Sequence, residues 1–481
     1  MSRRIQRGSA AVGIAALFFI TAGCGGLEEG PRPNVFLVTV ESLRADHVGA
    51  YGYAPETTPN LDRLAREGTL FRDAHAVTSW TLSSHATLFT GLYPSAHRVI
   101  EPRHRLADSY VTLAELFRDA GYETAGFVSG PFLRTPHRLS QGFEIYDDSP
   151  SAATQEGAHE DVTNPEMERL LTAYFREGPG RERPFFLFAY LWDPHYDFIP
   201  PPPYDTMFTA PGAVPFDATG FERNPRIHPN MDPADLKWMI AQYDGEIRCT
   251  DDLLGRLFAL MEELGLWENT IVAVTADHGE EFFEHGTKGH KNNLFVESVH
   301  VPLVVKWADS RPPAEDGRLA GLIDLYETLA AAAGIDGPAN HGIDLGAPAG
   351  TVRPPFFQEL VTTFYGRGPS GRTEKRSEPW WAVRRGPYKL ISAAARRINF
   401  LYDLSSDPRE QRPIETERLD QMGEMLGLLG PWQSEMRAFA SRHDEGGEAK
   451  LTDEEVDRLR ALGYLSDGED STGGAEGETG Q

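Results

Sequence analysis

Four short apolar runs limit what this chain can fold into. NVFLVTV (Asn34–Val40), TAGFV (Thr124–Val128), PFFLFAYL (Pro184–Leu191) and NTIVAVTA (Asn269–Ala276) are rich in β-branched and aromatic residues, and each reads as a buried strand. Helical patterns lie between them. PNLDRLAREG (Pro59–Gly68) and VTLAELFRDAGY (Val111–Tyr122) carry helix-start and glycine-stop signals, and Asp232–Leu264 is amphipathic over its whole length. VPLVVKW (Val301–Trp307) and the helix LIDLYETLAAAAG (Leu322–Gly334) continue the series. Strands that alternate with helices predict an α/β fold built on a doubly wound, mostly parallel sheet.

After Gly350 the rhythm changes. PFFQELV, WWAVRRGPYKLI and INFLYDL follow one another without helices, which predicts a small antiparallel subdomain. TDEEVDRLRALGYL (Thr452–Leu465) reads as a terminal helix capped by Thr452. The expected organisation is a signal segment over 1–24, a linker over 25–33, a main domain over 34–350, a C-terminal subdomain and helix over 351–465, and a disordered acidic tail over 466–481.

The chain has 481 residues and a formal net charge of −26. Such a surface repels nucleic acid and anionic lipid headgroups at long range, so no nucleic-acid partner is expected. An anionic substrate would need a local positive site. Two cysteines exclude a disulfide scaffold. Cys249 lies in a helical pattern and is expected to act as a small buried hydrophobe. Cys24 ends a segment with early arginines, the apolar run AAVGIAALFFI and then TAGC. That is the layout of a secretory signal peptide, and the small residues before Cys24 resemble a bacterial lipoprotein box, with Thr21 where the box usually has Leu. The expectation is a lipid anchor at Cys24 and a place in the bacterial cell envelope. A plain signal peptide or short anchor is the alternative.

Ligands of parallel sheets bind beyond the carboxyl ends of the strands. The first strand ends in Glu41. The strand from Pro184 ends in WDPHYDF, with Asp193 and His195. The strand from Asn269 ends in DHGEEFFEHGTKGHK, with Asp277, His278, His285, His290 and Lys291. An adjacent Asp-His pair and a distant Glu suit a divalent metal, and mixed carboxylate and imidazole donors favour Zn or Mn, with Ca also compatible. Asp193, His195, His285 and His290 are numerous enough to bind substrate or a second ion. Solvated loop residues are the alternative at each position, least so for the segment from Asp277 to Lys291.

SWTLSSHATLFTGLYP (Ser79–Pro94) looks like a helix start that presents hydroxyl groups. Thr81 there is either a helix cap or a nucleophile. A hydroxyl at a helix start lies by unpaired N–H groups and the positive end of the dipole, a natural seat for an anionic ester, and a metal would activate it.

Together these residues resemble the sulfatase family of the alkaline-phosphatase superfamily. NVFLVTVESLRADHVGAYGY is similar to its first strand and metal-ligand loop. TLSSHATLFTGLYP stands at the signature C/S-x-P-S-R followed by L-x-T-G, and LYDLSSDPRE resembles its C-terminal subdomain. The departures are specific. Thr81 occupies the position that sulfatases convert to formylglycine and cannot yield that group. Ser83 and His85 replace the signature Pro and Arg, Glu41-Ser42 replaces an Asp pair, and Ser129-Gly130-Pro131 stands where Lys-x-His is expected.

Glu41, Thr81, Asp277 and His278 resemble the metal set of the superfamily's phospho-ester branch, which includes phosphodiesterases and phosphoethanolamine transferases. The resemblance implies that Thr81 is a metal-activated nucleophile, that His85 or His195 protonates the leaving group, and that His285, His290 and Lys291 hold ester oxygens. One or two ions are implied. The expected function is a hydrolase of sulfate or phosphate esters. A phospho-alcohol transferase acting on envelope glycan or lipid and a non-catalytic anionic-glycan binder are the alternatives.

Overall fold

Each apolar run forms a strand because nothing in it needs water. The computed structural model of the protein describes residues 32–152, 162–178, 182–309, 311–348, 353–367, 373–393 and 396–465. The expected signal segment with Cys24, most of the linker and the tail over 466–481 lie outside the described residues. Strands β1 (Asn34–Val40), β2 (Thr69–His75), β3 (Glu123–Val128), β4 (Ile145–Asp147), β5 (Phe185–Leu191), β6 (Thr270–Ala276), β9 (Leu303–Lys306) and β10 (Ala314–Gly321) make the main sheet, with β7 (Glu281–Phe282) and β8 (Lys288–Gly289) a separate short ribbon. The order is β10-β2-β9-β6-β1-β5-β3-β4. Every residue of β1, β5 and β6 is buried, as expected of central strands covered on both faces.

The fold is the mostly parallel α/β sheet that the alternating pattern predicts. One strand departs from it: β9 runs antiparallel to both β2 and β6. Its apolar sequence LVVK specifies burial but not direction. β2 and the polar edge strand β10 carry no clear apolar run, so no sequence pattern marks them as strands.

Helix ends follow their signals. Pro59 opens the helix Pro59–Glu67 and Gly68 closes it. Thr112 and Glu115 form a reciprocal capping box on Leu113–Asp119, and Thr452 and Glu455 form another on Asp453–Ala461. The helix Leu419–Ala440 was not legible, because Gly423, Gly427, Gly430 and Pro431 read as breakers. It persists because Met425, Leu429, Trp432, Met436 and Ala440 fall on one face and are buried.

The C-terminal strands β11 (Phe356–Arg367), β12 (Thr373–Arg385), β13 (Tyr388–Ala393) and β14 (Ile398–Asp403) pair in sequence order, all antiparallel. This small sheet props the loop before Thr81. Gln358 Nε2 donates to Ala76 O at 2.7 Å, and Glu359 N donates to Val77 O at 2.8 Å. Among the described residues, no helix is long and apolar enough to cross a membrane.

Candidate active site

Strand register assembles the site. Val40 of β1 pairs with Ala276 of β6 and with Leu191 of β5. The next residues, Glu41 and Asp277, therefore leave adjacent strands at the same level. Glu41, Asp277 and His278 are buried and present donor atoms all within 4.8 Å of one another. Thr81 joins them from the first position of the helix Thr81–Thr90. Its Oγ1 lies 3.1 Å from His278 Nε2 and 3.4 Å from Glu41 Oε2. Trp80 holds the N-cap position and no side chain caps this helix, so the Thr81 hydroxyl is not spent as a cap.

Local backbone supports this grouping. Ser42 adopts a left-handed φ of 53°, its N–H donates to Asp277 Oδ1 at 3.1 Å and its hydroxyl to Glu41 Oε1 at 2.7 Å. Tyr190, a lone hydroxyl in an apolar strand, donates to Glu41 Oε2. A tyrosine buried in such a strand needs a partner for its hydroxyl, which is the signal that could have identified it. Gly279 follows His278 where a Cβ would meet Glu297 O at 2.0 Å, so only glycine fits.

The electrostatics fit a cation. Burial raises both carboxyls to about 7, and for Glu41 the neighbouring Asp277 carboxylate adds to the shift. Burial lowers His278 and His290 to about 4, which keeps both imidazoles neutral. His278 Nδ1 donates to Gly279 O at 2.9 Å, leaving the Nε2 lone pair aimed at Thr81 and the carboxylates. Asp277 Oδ2 is buried without a hydrogen-bond partner. An orphaned carboxylate oxygen beside a second carboxylate, a neutral imidazole and a hydroxyl is a donor set for a divalent metal.

A second group, Glu41 with His195 and His290, also converges within 4.8 Å. The His195 ring stacks on Trp192 at 3.8 Å, and His290 Nδ1 lies 3.2 Å from Glu280 Oε2. Lys291 has a left-handed φ of 63° and sets its ammonium 4.0 Å from the Trp80 ring centroid, beside the start of the Thr81 helix.

Three of the sequence candidates are placed elsewhere or in another role. Asp193 accepts from Thr163 N at 2.7 Å, from Asn164 N at 3.0 Å and from the Thr163 hydroxyl, so it anchors the start of the helix Asn164–Glu177. His285 lies between Glu297 Oε1 at 2.5 Å and Glu410 O at 2.8 Å and stacks on Phe295, which ties the 281–297 loop to the C-terminal part. His85 is fully buried beneath the site, with Nδ1 on Thr81 O and Nε2 on Thr39 Oγ1, both at 2.9 Å. Both its nitrogens are engaged, so it steadies the turn that carries Thr81 and does not face a leaving group.

The family model named Sulfatase matches residues 33–335, well over half of the chain. The chain belongs to the sulfatase family. It is therefore an ester hydrolase of the alkaline-phosphatase superfamily. It is 29% identical, over 62% of its length and 73% of the relative's, to the multifunctional alkaline phosphatase superfamily protein PehA of Trinickia caryophylli. It is 26% identical to an ulvan-active sulfatase of Formosa agariphila, over 58% of this chain and only 57% of that enzyme. In structure it is similar to a phosphonate monoester hydrolase of Agrobacterium radiobacter, with a TM-score of 0.67 and 24% identity over 85% of this chain and 96% of that one.

The placement of Asp193 generates a direct test. Asp193→Asn should destabilise the fold by about 1–3 kcal/mol, because a buried acceptor of several hydrogen bonds is compromised. Metal content should stay at the wild-type level. Thermal unfolding together with metal analysis of the purified variant checks both.

Proposed function

We propose that the chain is a metal-dependent hydrolase of anionic esters that prefers phosphate to sulfate esters and uses Thr81 as its nucleophile. The observation that carries this reading is the Thr81 hydroxyl, not used as a helix cap, held against Glu41 and His278. A threonine cannot become formylglycine, and the Cys, Arg and Lys-x-His of the sulfatase signature are absent from positions 81, 85 and 129–131.

Glu41, Thr81, Asp277 and His278 would hold the ion, with Zn or Mn favoured by the donor chemistry. When bound, a divalent ion supplies Lewis acidity that lowers the pKa of a hydroxyl and offsets charge on ester oxygens. Thr81 Oγ1 passes its proton to Glu41 Oε2 and attacks phosphorus while the bond to the alcohol oxygen breaks, and the alcohol leaves with a proton from His195. Water then attacks phosphorus and gives a proton back to His195, while Thr81 Oγ1 leaves, recovers its proton from Glu41 and the phosphate is released. The N-terminal end of the Thr81–Thr90 helix favours the negative charge that gathers there. His290 and Lys291 orient the non-bridging oxygens, and His195 faces the leaving group.

Thr81→Ala should lower turnover of phosphate esters by at least about a thousandfold while fold and metal content persist, as expected for a nucleophile. Thr81→Ser should keep part of the activity. Wild-type turnover in Thr81→Ala contradicts the assignment, and preferred turnover of aryl sulfates contradicts the ranking of phosphate over sulfate. Asp277→Ala should lose the bound metal, read by elemental analysis. Unchanged metal content there would mean that the ion is held elsewhere.

From the TAGC motif we also propose a lipid anchor at Cys24 in the cell envelope. Mass spectrometry of the mature N-terminus should find acylated Cys24 as the first residue. An unmodified cysteine or a different cleavage point contradicts it.

A further inference from the structure

The buried imidazoles of His195 and His290 point at one atom of the C-terminal turn. Tyr464 follows the helix Asp453–Ala461, and its hydroxyl lies 2.7 Å from His290 Nε2 and 3.1 Å from His195 Nε2. His195 Nδ1 sits 2.7 Å from the carbonyl of Tyr196, which can only accept, so Nδ1 carries a proton and the ring is held with Nε2 facing the phenol. The Lys291 ammonium is 5.8 Å from the Tyr464 ring centroid. Any ligand oxygen that reaches either imidazole also comes against this phenol.

The turn is a fixed wall. Arg134 pairs with Glu455 at 2.7 Å, Arg223 donates to Arg460 O at 2.6 Å, and Tyr196 donates to Leu462 O at 3.2 Å. Val456, Leu459, Leu462 and Leu465 are buried, and the Tyr464 ring packs edge-on against Phe132 at 4.6 Å. Trp80, Phe132, Trp192 and Tyr196 around these groups are buried, whereas Tyr464 and Lys291 keep some exposure.

We propose that Tyr464 is a substrate-contacting residue delivered by the C-terminal turn, its hydroxyl completing with His195, His290 and Lys291 the set that holds the ester's oxygens. The inference rests on the ester-binding reading of this pocket given above. It assigns an active-site role to a residue some 270 positions from His195 and beyond the residues 33–335 that carry the family match.

The test is calorimetric binding of inorganic phosphate to the full chain loaded in turn with Zn²⁺ and Mn²⁺. Tyr464→Phe keeps the ring on Phe132 and removes only the hydroxyl. It should weaken phosphate binding about tenfold with unchanged circular dichroism and metal content. A chain ended at Gly463 should show at least the same loss. His290→Ala combined with Tyr464→Phe should lose less than the product of the two single losses, because the pair acts as a unit. Unchanged phosphate affinity in Tyr464→Phe, fully multiplicative losses, or no phosphate binding by the wild type overturns the proposal. Tighter binding in Tyr464→Phe, the mark of a phenol that only blocks the pair, overturns it too. Turnover of a phenyl phosphate ester on the same samples separates the two readings. Binding that depends on Tyr464 without turnover removes the hydrolase reading and leaves Tyr464 in place. Turnover that ignores Tyr464 removes this proposal alone.

Discussion

Two carboxylates leave adjacent parallel strands at the same level inside the protein, and much of the surrounding structure answers to that. The pairing of Val40 with Ala276 forces Glu41 and Asp277 together. Their donor atoms lie within 4.8 Å of each other, and two like charges that close repel by at least about 3.5 kcal/mol for an effective dielectric constant of 20. Burial adds a further penalty, visible in the rise of both carboxyls to about 7. Ser42 and Tyr190 donate to Glu41, and the Ser42 and His278 N–H groups donate to Asp277 Oδ1, yet Asp277 Oδ2 stays without a partner. A divalent cation held there would offset what these hydrogen bonds do not.

The same constraint explains the surroundings. Arg44, buried just beyond Glu41, joins Asp46 at 2.8 Å, Glu284 at 2.5 Å and the carbonyl of Glu280 at 3.0 Å. It thereby locks the loop after β1 to the loop after β6. The ordinary cationic partners of a buried acid are thus committed to holding the loops. The imidazoles divide by function in the same way. His278, His195 and His290 aim Nε2 into the pocket. His85 and His285 spend both nitrogens on the protein and hold the turn and the loop that frame it.

The strand ends were legible because burial writes itself into continuous apolar sequence, and the first polar residue after such a run must lie at a sheet edge. That logic located Glu41, Asp277 and His278. It did not separate donors from props. Asp193 and Asp277 follow strands in the same manner, but only tertiary contact shows that Asp193 meets the start of the helix Asn164–Glu177. His285 reads as a member of a histidine-rich loop until Glu410, 125 positions away, takes its Nε2. Tyr464 carries almost no local signal, since a tyrosine after a glycine at the end of a helix fits any capped C-terminus. Direction was illegible for β9 because apolar sequence sets burial and not polarity. The helix Leu419–Ala440 was hidden because its glycines and proline obscure a face that only packing reveals.

The central claim is that Glu41, Thr81, Asp277 and His278 bind one catalytic ion that also meets the Thr81 hydroxyl. Anomalous diffraction from crystals grown with Zn²⁺ or Mn²⁺ tests it most directly. One ion should appear within about 2.0–2.3 Å of oxygen or nitrogen donors on all four side chains. An ion coordinated elsewhere, or one at the carboxylates with the Thr81 hydroxyl turned away, would contradict it.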